Sequence, residues 1–447
     1  MAAEIGTEGA PGGFRRELGL WDTTMVVAGA IIGVGIFVNP SNVARLLPEP
    51  GWMLAAWAAG GAIALAGGFL WAELGSRLPV VGGQYVYLAR AWGPWAGFLY
   101  GFTLLFVINS GGIAAVASVL AAYVDGSFVA LGAGGRLALA AAVIVLLAEI
   151  NVRGVGPGKR VNNLLMALKL AGIGALVALA LARRPESATE LRLPSAGGAS
   201  ASAFFAALVP VLFAYGGWQN CGSVAAEIRD AGRTLARANV LGVTLVVGVY
   251  LGLSALYLRV LPAAEIAGSS ALAADVARRL AGAPGAIFVG ALIVVSCLGF
   301  LAVMTLTGPR LYYAMASDGL FWRRAARLHP RFGTPSFTIR LQAAVALALL
   351  LSQTYDQLLS YVVFGDWLFF ALTAAGLFVL RRRDPAPAAV FRAPGHPVVT
   401  LLFVAAGAGV VLNSFVAAPR QAAAGCAVLA LGSLAYLLVR HGRHRDG

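Results

Sequence analysis

Apolar residues in this chain form long runs, which are separated by short segments rich in Gly, Pro and Arg. A transmembrane helix needs about 20 consecutive apolar residues, and runs of that length recur along the whole sequence. The pattern therefore predicts an all-α integral membrane protein with twelve transmembrane helices and no separate soluble domain. The predicted spans are residues 18–45, 52–77, 84–122, 136–152, 161–182, 203–226, 238–261, 284–316, 338–355, 358–380, 396–417 and 423–439.

Glycines interrupt two of these runs in a way that disfavours a continuous helix. The first interrupted run contains GAIIGVGIF at 29–37, and the second contains FAYGGWQNCG at 213–222. Unpaired N–H and C=O groups survive at membrane depth only where protein buries them or where they line a polar cavity. Breaks at matching places in two halves of a chain indicate the binding site of a transporter.

The two breaks also suggest how the chain is organised. The first break opens predicted spans one to five, and the second opens spans six to ten. An odd number of spans inverts the second unit relative to the first, which predicts two inverted five-helix repeats at 18–182 and 203–383. Two accessory helices at 396–440 follow, and segments 1–17 and 441–447 are predicted to be terminal tails.

Composition and charge agree with a membrane protein. The 447 residues are 60% hydrophobic and 12% charged, about half the charged fraction of a soluble protein. The net charge of +14 does not indicate nucleic-acid binding, because no basic cluster with interleaved aromatic residues is evident. With the N-terminus inside, most of the 33 Lys and Arg residues fall in inner segments. The positive-inside rule then predicts a multi-pass protein of the plasma (inner) membrane with both termini cytoplasmic.

The sequence contains few residues that would indicate a disulfide framework, a metal site or an enzyme active site. Cys221, Cys297 and Cys426 lie in or near spans, so neither a disulfide framework nor a zinc site is predicted, and no metal or cofactor is expected. The spans contain no His and no paired acids at mid-depth, which argues against a membrane-embedded enzyme. No ring-like filter motif indicates a channel.

Each break is expected to expose backbone groups that carry partial charge of one sign. If the helix restarts after the first break, the N–H groups of Val34, Gly35 and Ile36 form a helix N-terminus that suits a carboxylate. Close helix packing through Gly29-x-x-x-Gly33 explains the same glycines, and both interpretations stay open. Carbonyls freed at the second break carry partial negative charge and suit an ammonium group. Together the two breaks match a small zwitterion such as a free amino acid.

At this level of detail the chain resembles a known family. GAIIGVGIF and FAYGGWQNCGSVAAEIRD are similar to the first and sixth helices of the amino acid–polyamine–organocation (APC) superfamily, and the similarity is closest to the L-type amino acid transporter branch. ELGSRLPVVGGQYVYL at 73–88, TGPRLYYAMASDGLF at 307–321 and VFGDWLFFALTAAGLFVLRRR at 363–383 extend the resemblance over nearly the whole chain. It implies a LeuT-type 5+5 inverted repeat with unwound helices 1 and 6, plus two accessory helices.

The resemblance also implies a substrate site. The implied substrate-binding residues are Ile31, Gly33, Val34, Gly35, Phe213, Ala214, Gly216 and Gln219. Backbone N–H groups at Val34 and Gly35 would bind the carboxylate, carbonyls at Ile31, Phe213 and Gly216 would bind the amine, and Phe213 would also close over the substrate as a gate. Two positions depart from the family pattern: some relatives have Ser where this chain has Val34, and some have Asn where it has Gln219.

Lys169 is an isolated cation within the fifth predicted span. A cation in hydrocarbon normally has a partner or a function, although this side chain could also snorkel to the cytoplasmic face. The resemblance implies that its ammonium replaces a bound sodium ion and holds helices one, five and eight together. A buried ammonium could also carry a proton.

Other polar and aromatic residues in the spans have two interpretations each. Glu73, Glu149 and Glu227 lie near inner ends and are expected to pair with a nearby Arg, for example Arg77, Arg153 or Arg229. Arg310 is expected to cap a helix near Asp318. Asp366 fits an outer gate or a structural hydrogen bond, and Tyr215 and Trp218 fit either the cavity wall or the protein core.

These observations predict a sodium-independent secondary transporter, either an exchanger or a facilitator, of neutral, small to medium L-amino acids by alternating access. Proton-coupled amino acid symport is the alternative. Relatives with a heavy-chain partner carry a cysteine in the outer loop between spans three and four. Residues 122–136 contain none, so no disulfide-linked heavy-chain subunit is predicted.

Overall fold

The computed structural model describes residues 14, 16–183, 194–195, 198–352, 355–384, 391–417 and 419–443. The regular secondary structure of this part of the chain is helical, apart from one isolated pair of residues in β-bridge geometry. The helices are α1 (Leu20–Ile31), α2 (Gly35–Leu46), α3 (Pro50–Arg77), α4 (Gln84–Trp92), α5 (Pro94–Thr103), α6 (Asn109–Ser127), α7 (Gly132–Val152), α8 (Val155–Ala182), α9 (Ala201–Tyr215), α10 (Ala231–Val260), α11 (Ala263–Gly268), α12 (Leu272–Ser317), α13 (Ser336–Ser352), α14 (Tyr355–Arg383), α15 (Val398–Ala417) and α16 (Pro419–Arg443). A π-helical turn at Leu104–Ile108 joins α5 to α6, and 3-10 helices cover Trp218–Glu227 and Arg323–Ala326.

Eleven helical segments of the described chain are long and apolar enough to cross a membrane. The prediction of an all-α membrane protein is therefore confirmed. The ninth predicted span, 338–355, corresponds to α13, whose apolar helical part Ser336–Leu351 is shorter than the others, so the number twelve stays a prediction. Predicted span 284–316 begins just after a kink at Ala281 and Gly282 inside α12.

The helices around the two breaks form the interior of the protein. α1 packs against α8, α10 and α12, while α2 packs against α9. Most of α1 is buried, whereas the peripheral helices α15 and α16 expose large apolar side chains such as Leu412 and Leu438. Exposed leucines on outer helices suit contact with lipid, and the buried α1 suits a central position in the bundle.

The segment before α1 is fastened to the rest of the protein. Leu18 pairs with Ile228 in β-bridge geometry, because the N–H of Leu18 donates to Glu227 O (2.9 Å) and the N–H of Arg229 donates to Leu18 O (2.9 Å). On α1 itself, a carboxylate oxygen of Asp22 accepts a hydrogen bond from Asn163 Nδ2 at 2.7 Å. We call residues 16–22 the N-terminal strap. Most of the predicted tail 1–17 lies outside the described residues, as do residues 444–447 of the predicted C-terminal tail.

The predicted ion pairs of the inner helix ends are partly wrong. Glu73 does pair with Arg77 at 2.8 Å, and it also pairs with Arg381 of α14 at 2.6 Å.

The other two glutamates pair across helices, because a residue far away in sequence lies closer than the neighbouring Arg. Glu149 pairs with Arg340 of α13 at 2.8 Å. Glu227 pairs with Arg310 of α12, whose Nε donates at 3.0 Å. Both members of that pair are fully buried, so Arg310 is not a cap near Asp318.

Candidate functional site

The first glycine-rich break separates α1 from α2. α1 ends at Ile31, α2 begins at Gly35, and the residues between them are not helical. The N–H groups of Phe37 and Val38 donate to Val34 O at 3.0 and 3.2 Å and are the first to bond within α2. The preceding N–H groups, those of Val34, Gly35 and Ile36, have no acceptor among the described residues. They form the positive end of α2.

The second break follows α9. Gly216 and Gly217 lie between the end of α9 and the 3-10 helix that starts at Trp218. Gly217 has φ +132°, a conformation that favours glycine. Its N–H donates to Gln219 Oε1 and its carbonyl accepts from Asn220 Nδ2, both at 3.0 Å. No described residue donates to the carbonyl oxygen of Gly216.

The two breaks touch each other backbone to backbone. A Cβ atom on Gly35 would lie 2.8 Å from the Cα of Ala214, and one on Gly217 would lie 2.9 Å from the N of Ile31. Such contacts are too short for any real side chain, so glycine is required at both places. Gly29 is also tightly packed, with Asn162 Oδ1 only 3.1 Å from the position of a Cβ. Both interpretations of the first break therefore hold, since it exposes backbone groups and packs closely.

A tyrosine hydroxyl joins the ends of the two broken helices. Tyr250 of α10 is fully buried, and its hydroxyl lies 3.0 Å from Ile31 O and 3.2 Å from Ala214 O. The sequence analysis missed this residue. Its segment, VYLGLSALYLRV, is an ordinary apolar run, and nothing in it distinguishes Tyr250 from Tyr257.

Lys169 reaches the first break from α8. The residue is fully buried, and Nζ donates to Ile32 O, so its acceptor is a backbone carbonyl. Ser296 of α12 donates to the neighbouring carbonyl, Gly33 O, at 2.9 Å. Lys169 and Ser296 thus tie α8 and α12 to the carbonyls of the first break. Because its exposed fraction is 0%, Lys169 does not snorkel to either face.

A cavity of about 70 Å³ lies where the breaks meet, and α6, α12 and α14 complete its lining. All eight residues of the predicted binding set line it: Ile31, Gly33, Val34, Gly35, Phe213, Ala214, Gly216 and Gln219. Lys169 lies outside the lining. Tyr215 and Trp218 do too, because their rings pack in the core against Trp57 (5.7 Å) and Trp71 (6.3 Å) respectively.

One charged side chain lines this cavity, and the sequence analysis did not place it there. Asp366 of α14 is the only titratable residue among the described residues of the lining. Its neighbours there include Trp367 and Phe370, so this part of the wall is otherwise apolar. The described residues contain no cluster of His, Cys, Asp and Glu that could hold a metal ion.

Comparison with known proteins agrees with this geometry. The sequence profile of the amino acid permease family matches residues 18–433. The chain belongs to the amino acid permease family. The resemblance noted in the sequence is thereby confirmed, and this permease is a membrane transporter of amino acids. The family and the relatives below are transporters rather than enzymes.

Individual relatives cover most of the permease. It is 29% identical over 406 residues to the serine/threonine exchanger SteT of Bacillus subtilis, covering 90% of this chain and 91% of that protein. It is 30% identical over 372 residues to human b(0,+)-type amino acid transporter 1, covering 82% of this chain and 76% of the relative. It is 28% identical over 456 residues to human large neutral amino acids transporter small subunit 2, covering 99% and 84%.

Proposed function

We propose that this permease carries neutral, small to medium L-amino acids across the plasma membrane by sodium-independent exchange or facilitated transport. One observation carries the proposal: two helix breaks meet at one cavity. N–H groups of one break and a carbonyl of the other have no hydrogen-bond partner among the described residues. These are the two poles that an amino acid zwitterion needs. The relatives named as amino acid exchangers and transporters support the same class of substrate.

In this proposal the substrate carboxylate binds the N–H groups of Val34 and Gly35, beside Gly33. The ammonium group binds carbonyls of the second break. Among the described residues, Gly216 O accepts no hydrogen bond, and Phe213 O accepts only the N–H of Gly216 at 3.2 Å. Ile31 O already accepts from Gly33 N and from the Tyr250 hydroxyl, so it contributes to the ammonium only by sharing those bonds. Ala214 and Gln219 line the cavity beside these groups.

Phe213 is the proposed gate. Its side chain is half-buried and lines the cavity, while its neighbours Leu212 and Ala214 are buried. A large aromatic ring at the cavity edge is well placed to cover a bound substrate.

Lys169 is the proposed substitute for a bound sodium ion. Its ammonium donates to a carbonyl of the first break from inside the protein. A fixed positive charge there neutralises the same backbone carbonyls that a cation would bind, and it makes a sodium ion unnecessary.

The proposed architecture is a LeuT-type fold, in which α13 counts as the ninth of twelve spans. Its two inverted repeats cover 18–182 and 203–383, and α15 and α16 are the accessory helices within 396–440. Both termini, 1–17 and 441–447, are proposed to be cytoplasmic. No disulfide-linked heavy chain is proposed, because the outer segment 122–136 lacks cysteine; a mass shift on reducing gels of membranes would contradict this.

The experiment is counterflow in proteoliposomes that contain the full chain. Vesicles loaded with unlabelled alanine or serine should accumulate labelled alanine equally with sodium, potassium or choline outside, and without a pH gradient. Vesicles without internal amino acid distinguish exchange from facilitated transport. Dependence on sodium would overturn the role of Lys169, and dependence on a proton gradient would favour symport. Absence of counterflow for every neutral amino acid would overturn the proposal.

A further inference from the structure

The polar side chains of the cavity differ in whether they already have partners. Asn109 Nδ2 donates to Gln342 Oε1 at 3.0 Å, and Gln219 Oε1 accepts the N–H of Gly217 at 3.0 Å. Asn220 Nδ2 donates to the carbonyl of Gly217 at 3.0 Å. Each of these amides therefore has at least one of its two polar atoms bonded within the protein.

Asp366 differs from these amides. Its Oδ1 is buried and has no hydrogen-bond partner, and no described Lys or Arg pairs with the carboxylate. A buried carboxylate oxygen without a donor is unfavourable, because it has lost water and gained nothing in return. The lining around it includes Val362, Val363 and Phe300, none of which can donate a side-chain hydrogen bond. A donor group on a ligand bound in the cavity would satisfy this oxygen.

The position of Asp366 fixes which part of the substrate it meets. When the carboxylate and ammonium groups of an amino acid occupy the two breaks, its side chain projects into the rest of the cavity. That remainder is formed by α6, α12 and α14. Among the described lining residues, Asp366 Oδ1 is the one buried side-chain oxygen or nitrogen atom without a hydrogen-bond partner. Large side chains such as Phe300, Trp367 and Phe370 line this part of the cavity and favour a short substrate side chain.

We infer that Asp366 makes this permease select amino acids whose short side chain ends in a hydrogen-bond donor. The inference rests on the proposed function and adds the substrate class. A hydroxyl group and a short ammonium group are the two sources of such a donor. A hydrogen bond to a charged group corresponds to about ten- to a hundredfold in affinity, and a site built around it rejects the analogue that lacks the donor.

The test uses substrate pairs of equal shape on the reconstituted full chain. Serine and 2-aminobutyrate differ by a hydroxyl against a methyl group, and threonine and valine differ in the same way. Each competes with labelled alanine for counterflow into vesicles, together with 2,3-diaminopropionate as the ammonium probe. In the wild type we expect serine and threonine to compete about ten- to a hundredfold better than their apolar partners.

Two variants and one control assign this preference to Asp366. Asp366→Leu should bring the serine to 2-aminobutyrate ratio close to one. Asp366→Asn keeps an acceptor oxygen without the charge, so it should retain part of the hydroxyl preference and lose any advantage of diaminopropionate over serine. Asp230→Asn changes an exposed aspartate outside the cavity and should leave all ratios unchanged. Because ratios are compared within one protein, a lower yield of a variant does not affect the result.

The outcomes separate the two proposals. If serine competes best, the donor is a hydroxyl group. If diaminopropionate competes best, the donor is an ammonium group and the proposed restriction to neutral amino acids is wrong. Either order supports the inference about Asp366. Counterflow in which the wild type treats both members of each pair alike would overturn the inference and leave the proposed function standing. The same holds if Asp366→Leu keeps the full wild-type ratio. No counterflow with any substrate would overturn the proposed function itself.

Discussion

The hydroxyl oxygen of Tyr250 lies 3.0 Å from the carbonyl oxygen of Ile31, the last residue of α1. It is also 3.2 Å from Ala214 O near the end of α9. A hydroxyl group has one proton, so it donates to one of these carbonyls at a time. Tyr250 therefore links the ends of both broken helices through a single atom.

Tyr250→Phe should weaken transport, because Ile31 O and Ala214 O lose the hydroxyl that they share and the two helix ends lose their link. We expect the apparent affinity for alanine in counterflow to fall about tenfold, as for the loss of one buried hydrogen bond. Tyr257→Phe on the same helix is the matched control, since the buried hydroxyl of Tyr257 has no partner. Equal effects of the two changes would show that the bonds of Tyr250 are unimportant.

Lys169→Ala should abolish most transport while the protein still folds. The change removes the ammonium donor to Ile32 O, and the first break loses its tie to α8. Counterflow measured at equal amounts of reconstituted protein should fall by at least about tenfold. Arg160→Ala, an exposed position on the same helix, is the control and should retain activity. Wild-type transport by the Lys169 variant would remove its assignment as a cation-site substitute.

Gly35→Ala and Gly35→Leu should both reduce substrate binding, with the larger residue more damaging. The added Cβ would lie 2.8 Å from Ala214 Cα, so α2 and α9 have to separate and the cavity changes shape. Gly174→Ala is the control, because a Cβ on this α8 residue meets nothing within 4 Å and alanine favours a helix. Binding is measured by substrate-induced thermal stabilisation, and unaltered affinity in Gly35→Leu would contradict the carboxylate placement.

Breaking the buried Glu227–Arg310 pair should destabilise the fold. Glu227→Gln leaves the Arg310 charge buried and unpaired, which should lower the free energy of unfolding by about 3–5 kcal/mol. The double variant Glu227→Gln/Arg310→Met has neither charge, so it should lose less stability than the sum of the two single variants. Melting temperatures in detergent for the two single variants and the double variant measure this coupling. The exposed Arg278–Asp275 pair is the comparison, and Arg278→Ala there should cost less than about 1 kcal/mol. Additive effects at Glu227 and Arg310 would contradict a coupled pair.

The sequence predicted the broken helices well, because glycine pairs inside apolar runs have few physical explanations. The segments GAIIGVGIF and FAYGGWQNCG contain the ends of α1 and α9, and all the predicted binding residues line one cavity. The roles of these residues in substrate binding came from the family resemblance, because the spacing of residues in the sequence does not indicate them. Those roles stay predictions until binding is measured.

Long-range contacts escaped the sequence analysis. Glu227 lies two residues from Arg229 in the chain but pairs with Arg310, because α12 passes beside the second break. Tyr250 and Asp366 were missed as site residues for the same reason: their significance depends on which helix faces them. An isolated polar residue in an apolar run can be recognised from the sequence, but helix packing determines which group it contacts.

The N-terminal strap has a mechanical consequence. It leads into the first broken helix and includes the first residues of α1, and its Leu18 pairs with Ile228, just after the 3-10 helix Trp218–Glu227. Two hydrogen bonds of 2.9 Å close this pairing. If α1 moves and these two bonds are kept, the 3-10 helix Trp218–Glu227 has to move with it. The two segments are therefore coupled mechanically.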